Sequence, residues 1–141
     1  MQLSRFTDYS LRVLFYVAVN NDRLCHLAEI SEYYGISTEH LRKVVHGLAK
    51  SGHLKTYRGK HGGIKLGLAT DEINIGQVVE QTEGGGPLIN CDQPSCLLMR
   101  HCTLKPVFFE AQQAFMNVLK GYTLADLLSD PLMKQQIISH R

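Results

Sequence analysis

The sequence predicts a mainly α-helical fold with a small β-hairpin: a winged helix-turn-helix domain followed by a long dimerisation helix. Three observations predict it. Two short apolar helices meet at a turn containing Gly35, the spacing of a helix-turn-helix unit. A basic, glycine-rich hairpin follows at residues 54–66. Behind a break of three glycines and a proline, Leu104, Phe108, Ala111, Phe115, Val118 and Tyr122 alternate spacings of four and three, as a helix–helix seam requires.

The bulk properties limit the function classes. The chain has 141 residues, 44% hydrophobic and 20% charged, which suits one domain with a real core and argues against disorder. No run of eighteen apolar residues is present, so no transmembrane helix is expected. The opening residues lack the apolar region of a secretion signal, so a cytoplasmic address is expected. The four cysteines are then reduced, and read as ligands or reactive thiols. Charge is uneven: residues 1–65 carry a net +5 and residues 66–141 a net −3. Residues 42–65 hold seven Lys or Arg and no acid. Such a block is a solvated basic face or the footprint of an anionic partner such as nucleic acid.

Taken in order, the first helix is expected to start at a Thr7 cap with Asp8 in its first turn, where a carboxylate suits the dipole. Phe6, Tyr9, Val13, Tyr16 and Val17 recur on one face of it. The second helix fits Leu27–Tyr34, stopped by Gly35. Ser37 caps the third, Thr38–Lys50, with Leu41, Val44 or Val45, and Leu48 facing inward. Its outward face presents Thr38, Glu39, His40, Arg42, Lys43 and His46, side chains able to reach base edges and phosphates. Taken alone, that face reads first as a solvated amphipathic surface. The hairpin tip adds Arg58, Lys60 and His61 among three glycines, a wing able to enter a minor groove. A phosphate-binding loop is excluded, because His61 follows Lys60 where Ser or Thr is needed. Asn74 caps a fourth helix. Thr123 caps a last short one with Leu124, Leu127 and Leu128, and residues 135–141 read as loosely held. The expected divisions are 1–83 for DNA reading, 84–103 for the hinge and cysteine-rich loop, and 104–141 for dimerisation and tail.

Cys91, Cys96 and Cys102 fall within twelve residues, as C-x4-C-x5-C. They lie in a loop broken by Pro94, where three thiols can converge on one point. Unrelated free thiols, a redox disulfide, zinc with His101 as fourth ligand, and an iron–sulfur cluster all remain compatible with this spacing. Cys25 stands apart and reads as a small buried hydrophobe. No C-x-x-C pair, nucleophile elbow or metal-hydrolase motif is present, so no enzyme is expected.

The opening Met1-Gln2-Leu3-Ser4-Arg5-Phe6-Thr7-Asp8-Tyr9-Ser10-Leu11-Arg12 resembles that of the iron–sulfur winged-helix transcription regulators. So do the wing at residues 58–67, the cysteine triad, and the tail motif Tyr122-Thr123-Leu124-Ala125-Asp126-Leu127. The likeness runs to about Leu128 and is greatest to the nitric-oxide-sensing repressors of that family. It implies a homodimer crossed through the long helix and a palindromic double-stranded operator. It also implies a [2Fe-2S] or [4Fe-4S] cluster held by Cys91, Cys96 and Cys102, with nitric oxide as the signal that releases DNA. Asp8 stands where a carboxylate from the partner subunit completes the ligation in such repressors; it can equally be a plain first-turn acid. In the cluster-biogenesis branch a His follows the last cysteine by three positions. Here that place holds Lys105, so the fourth ligand and cluster nuclearity stay open. The alternatives are a redox-status regulator of another set of genes and a zinc-stabilised DNA-binding protein without gas sensing.

Overall fold

The structure, a computed structural model, describes residues 1–138. Its elements run α1 (Arg5–Val19), α2 (Leu27–Tyr34), α3 (Thr38–Lys50), β1 (Leu54–Tyr57), β2 (Gly63–Leu66), α4 (Ile75–Glu83), α5 (Leu104–Lys120), α6 (Leu124–Leu127) and α7 (Pro131–Ile138). The expected mainly helical fold with one small antiparallel sheet is therefore present.

The first helix starts earlier than its sequence suggests. Ser4, not Thr7, is the cap, and its hydroxyl accepts the Thr7 amide at 3.2 Å. The reason is spacing: a cap reaches the amide three residues on, and Thr7 is instead fully buried with its hydroxyl turned to α4. Val13, Leu14 and Val17 of α1 are completely buried, whereas Phe6 stays exposed at the edge of the stripe. Ser37 and Asn74 cap α3 and α4, with His40 and Gln77 donating their amides.

The core joins α1 to Ile30, Ile36, Leu41, Val44, Val45 and Leu48 of the helix-turn-helix, and to Leu54, Ile64 and Leu66 of the hairpin. Each such side chain contributes about 1.5–3 kcal/mol relative to an exposed one. Cys25 is buried as expected. It also exchanges backbone bonds with Ile64, at 2.9 and 2.8 Å, pairing a third chain segment with the wing. In β1 and β2 the register pairs Leu54 with Leu66 and Tyr57 with Gly63.

The C-terminal third returns to this core. Leu124, Leu128 and Ile137 belong to it, and the Leu124 amide donates to Ile73 at 2.8 Å. The expectation of a loose tail is corrected: α7 extends to Ile138, and Ile137 is buried. Burying this apolar side chain favours the ordered position of the helix. Residues 139–141 of that expected tail lie outside the described residues. Polar contacts help tether helix α5 to α4. Asn74 Nδ2 donates to the Lys120 carbonyl at 2.8 Å, and Lys120 pairs with Glu80 at 3.1 Å. None of the 17 residues of α5 is buried. Among the described residues, no helix is long and apolar enough to cross a membrane.

Candidate nucleic-acid interface and metal centre

Of the expected DNA-reading residues, Arg42, Arg58 and Lys60 line one groove together. Thr38, Glu39, His40, Arg42 and Lys43 are all exposed on α3, and Arg58, Lys60 and His61 are exposed on the wing. Leu41, Val44, Val45 and Leu48 anchor α3 from behind, so its polar side can only face outward. Between α3 and the wing lies an open groove of about 620 Å³. Arg42 and His46 line one wall of it, Arg58 and Lys60 the other. His26 and Thr56 also line it, and sequence spacing did not single them out. A concave, basic channel of this kind suits a sugar–phosphate strand.

Backbone requirements shape the wing tip. Gly59 has φ +94, a conformation that disfavours other residues. A Cβ on Gly62 would lie 2.1 Å from the Tyr57 carbonyl oxygen, so no larger residue closes this turn. On α3, Arg42 pairs with Glu39 at 3.0 Å. Both are well exposed, and such surface pairs are worth under about 1 kcal/mol. Arg42 can therefore leave this partner at small cost.

The recognition helix also touches the first turn of α1. The Phe6 ring covers Gly47, where an added Cβ would come within 2.9 Å of it. Tyr9 and His40 have ring centroids 6.1 Å apart. Asp8 lies between these contacts in sequence, half-buried, and pairs with Arg12 at 2.8 Å. Its hydrogen bond holds the Arg12 guanidinium above its ordinary pKa. Arg12 in turn lies over the Tyr34 ring at 5.7 Å. Tyr34 is pushed up from its usual phenol pKa, chiefly by burial.

The three cysteines of the loop are free thiols. Cys91 is buried, while Cys96 and Cys102 are half-buried. The Cys96 amide donates to the Cys91 carbonyl at 3.0 Å, closing a turn between the two. Cys102 precedes α5, and the Lys105 amide donates to its Sγ at 3.4 Å. Backbone amides at a helix start are suited to anionic sulfur. Among the described residues, no three His, Cys, Asp or Glu side chains gather into a metal-binding set. Three free thiols on one loop are suited in kind to an iron–sulfur cluster, but they are not gathered into a site in this structure. His101 is exposed.

Comparison with known proteins decides the family. Residues 3–130 match the Rrf2 family, described as iron-dependent transcriptional regulators. The chain belongs to the Rrf2 family. It is 45% identical over 134 residues to the HTH-type transcriptional regulator NsrR of Halalkalibacterium halodurans, covering 92% of each chain. With NsrR of Bacillus licheniformis it is 42% identical over 132 residues, covering 91% of this chain and 92% of that one. Two solved structures resemble it at 25% identity. CymR, the global cysteine regulator of B. subtilis, superposes with a TM-score of 0.73 over 92% of this chain and 97% of its own. IscR of T. potens superposes at 0.75 over 92% and 88%. This Rrf2 chain is thus a DNA-binding transcriptional regulator of the winged-helix type, similar to NsrR. Its relatives are regulators and not enzymes, in line with the sequence.

Two groups escaped the sequence reading. Thr82 and Glu83, at the end of α4, bond to the start of α1. The signal was available: an acid in the last turn of a helix opposes the dipole, so Glu83 needs a partner elsewhere. Gly47 on α3, the seat of Phe6, carried no signal that spacing could reveal.

Proposed function

We propose that this Rrf2 protein is a cytoplasmic homodimeric repressor that reads palindromic operator DNA and senses nitric oxide through an iron–sulfur cluster. The observation that carries this reading is the linkage, within one chain, of a complete basic α3–wing face to a loop bearing three free thiols. The similarity to NsrR supports nitric oxide as the signal. Two copies would join through the exposed apolar stripe of α5, with residues 1–83 as the reading head, 84–103 as hinge and loop, and 104–141 as dimer helix and tail.

Each α3 would enter a major groove through Thr38, Glu39, His40, Arg42 and Lys43. Arg58, Lys60 and His61 would hold the adjacent minor groove or backbone. Half-sites would lie about 34–36 Å apart. Cys91, Cys96 and Cys102 would hold the cluster, with Asp8 of the partner subunit as the fourth donor. When bound, the cluster would supply iron that reacts with nitric oxide. Asp8 can leave Arg12 at small cost, because both are about half exposed and such a pair is worth under about 1 kcal/mol. A hundredfold change of operator affinity needs about 2.7 kcal/mol, within the usual range of coupling between sites.

The test is the visible spectrum, iron and sulfide content, and operator affinity of protein purified without oxygen, before and after nitric oxide. Near-equal iron and sulfide, absorption bleached by nitric oxide and a parallel loss of affinity are expected. A colourless, zinc-bearing protein whose affinity ignores nitric oxide would remove the gas-sensing part. An iron–sulfur protein indifferent to nitric oxide but responsive to oxidants would make it a redox-status regulator.

A further inference from the structure

The first turn of α1 is held to the end of α4 by a compact polar cluster. The Ser4 amide donates to Glu83 Oε1 at 2.7 Å. The Thr7 hydroxyl is shared between that same carboxylate oxygen and Thr82 Oγ1, the latter at 2.8 Å. Thr7 is fully buried, so its hydroxyl has no water to fall back on. These contacts join residues 75 to 79 positions apart in the chain.

Their position is informative. Glu83 is the last residue of α4, and Gly84 follows as its cap with φ +82. The hinge begins there, and Cys91 lies eight residues beyond Glu83. At the other side of the hinge, Gln112 of α5 donates to the Gly86 carbonyl at 2.7 Å. The N-terminal stem of the cysteine loop is thus fastened at Glu83 to α1 and at Gly86 to α5. The turn of α1 that Glu83 grips is the one whose Phe6 covers Gly47 of α3 and whose Tyr9 lies beside His40. A continuous packed path therefore runs from the hinge, through Glu83 and residues 4–9, to the recognition helix.

We propose that Glu83 is a positioning residue, a latch between the hinge and α1 that transmits the state of the cysteine loop to α3. The inference rests on the proposed sensing function and adds the route of its regulation. Glu83 touches neither DNA nor the thiols. Its carboxylate fixes the tilt of α1, and α1 sets where the N-terminal end of α3 stands. Packed interfaces shift between discrete arrangements, so releasing one latch uncouples the two ends.

The experiment compares the full-length wild type with Glu83→Ala, Glu83→Gln and Thr7→Val. Gln keeps an acceptor oxygen, whereas Ala removes it. Amide hydrogen exchange at Ser4, read on cluster-free protein, should quicken at least tenfold in Glu83→Ala and stay near wild type in Glu83→Gln. Operator affinity, read with and without nitric oxide, should change about 100-fold in wild type, within the usual coupling range. That ratio should collapse below about fivefold in Glu83→Ala and Thr7→Val, and recover in Glu83→Gln. A merely structural role would lower the melting temperature and leave the ratio intact; that result overturns the proposal. So does unchanged Ser4 exchange in Glu83→Ala. A wild-type ratio of one removes the sensing reading itself, and the latch proposal with it.

Discussion

The reading head and the α5–cysteine region of this one chain are built on opposite plans. In the head, Leu14, Ile30, Leu41 and Val44 are almost wholly buried. Every buried side-chain polar atom among the described residues has a partner. In α5, Leu104, Val107, Phe109 and Val118 are each more than half exposed, as are Leu97 and Leu98 of the loop. The head completes its core within one chain, whereas the other region leaves apolar side chains uncovered. Isolated helices with no apolar cover are marginal in water, and a contiguous exposed apolar stripe marks an interaction surface.

The sharpest way to break this comparison is to empty a buried site in the head. Leu41→Ala should lower unfolding free energy by about 2–5 kcal/mol, measured by urea denaturation. A cost under about 1 kcal/mol would show that the head is not close-packed around α3. The matching change on α5, Phe108→Glu with Phe115→Glu, should act on association instead. Sedimentation should then find monomer at micromolar concentration with helical circular dichroism retained, because desolvating two charges in an apolar seam is costly. A persistent dimer would place the interface elsewhere.

A smaller effect is expected from the wing. Arg58→Ala should weaken operator binding and reduce the slope of log affinity against log salt by about 1, read by titration at several salt concentrations. An unchanged slope would take Arg58 off the phosphate backbone. The smallest effect belongs to His53, at the junction of α3 and β1. Burial pushes its pKa down, and its Nδ1 lies 2.8 Å from Ser51 Oγ. The unfolded chain therefore binds a proton more readily than the folded one. Stability from this site is complete above about pH 6.5, the ordinary histidine value, and declines as pH falls below it. The urea midpoint should drop between pH 7.5 and 5.5 in wild type, and drop less in His53→Gln.

The reading head was the legible half because its determinants are local. Ser37, Asn74 and Thr123 announce their helices by cap chemistry, and Gly35 ends α2 through its left-handed conformation. The cap of α1 was misplaced by three residues, since Ser4 and Thr7 are both good capping types and only the burial of Thr7 separates them. Residues 135–138 read as loose because nothing in their spacing shows that Ile137 reaches the core. The candidate cysteines were visible as residue types, but their gathering depends on how the loop closes.

By itself the sequence determined the helix-turn-helix, the basic wing and the apolar stripe of α5, and it marked three cysteines as candidate donors. These follow from periodicity, capping and charge, which act over a few residues. Tertiary structure alone decided that Cys25 joins the wing, that Phe6 seats on Gly47, and that Glu83 grips the start of α1. Those contacts link positions far apart in the chain, and no local preference encodes which distant partner a hydroxyl, ring or carboxylate will meet.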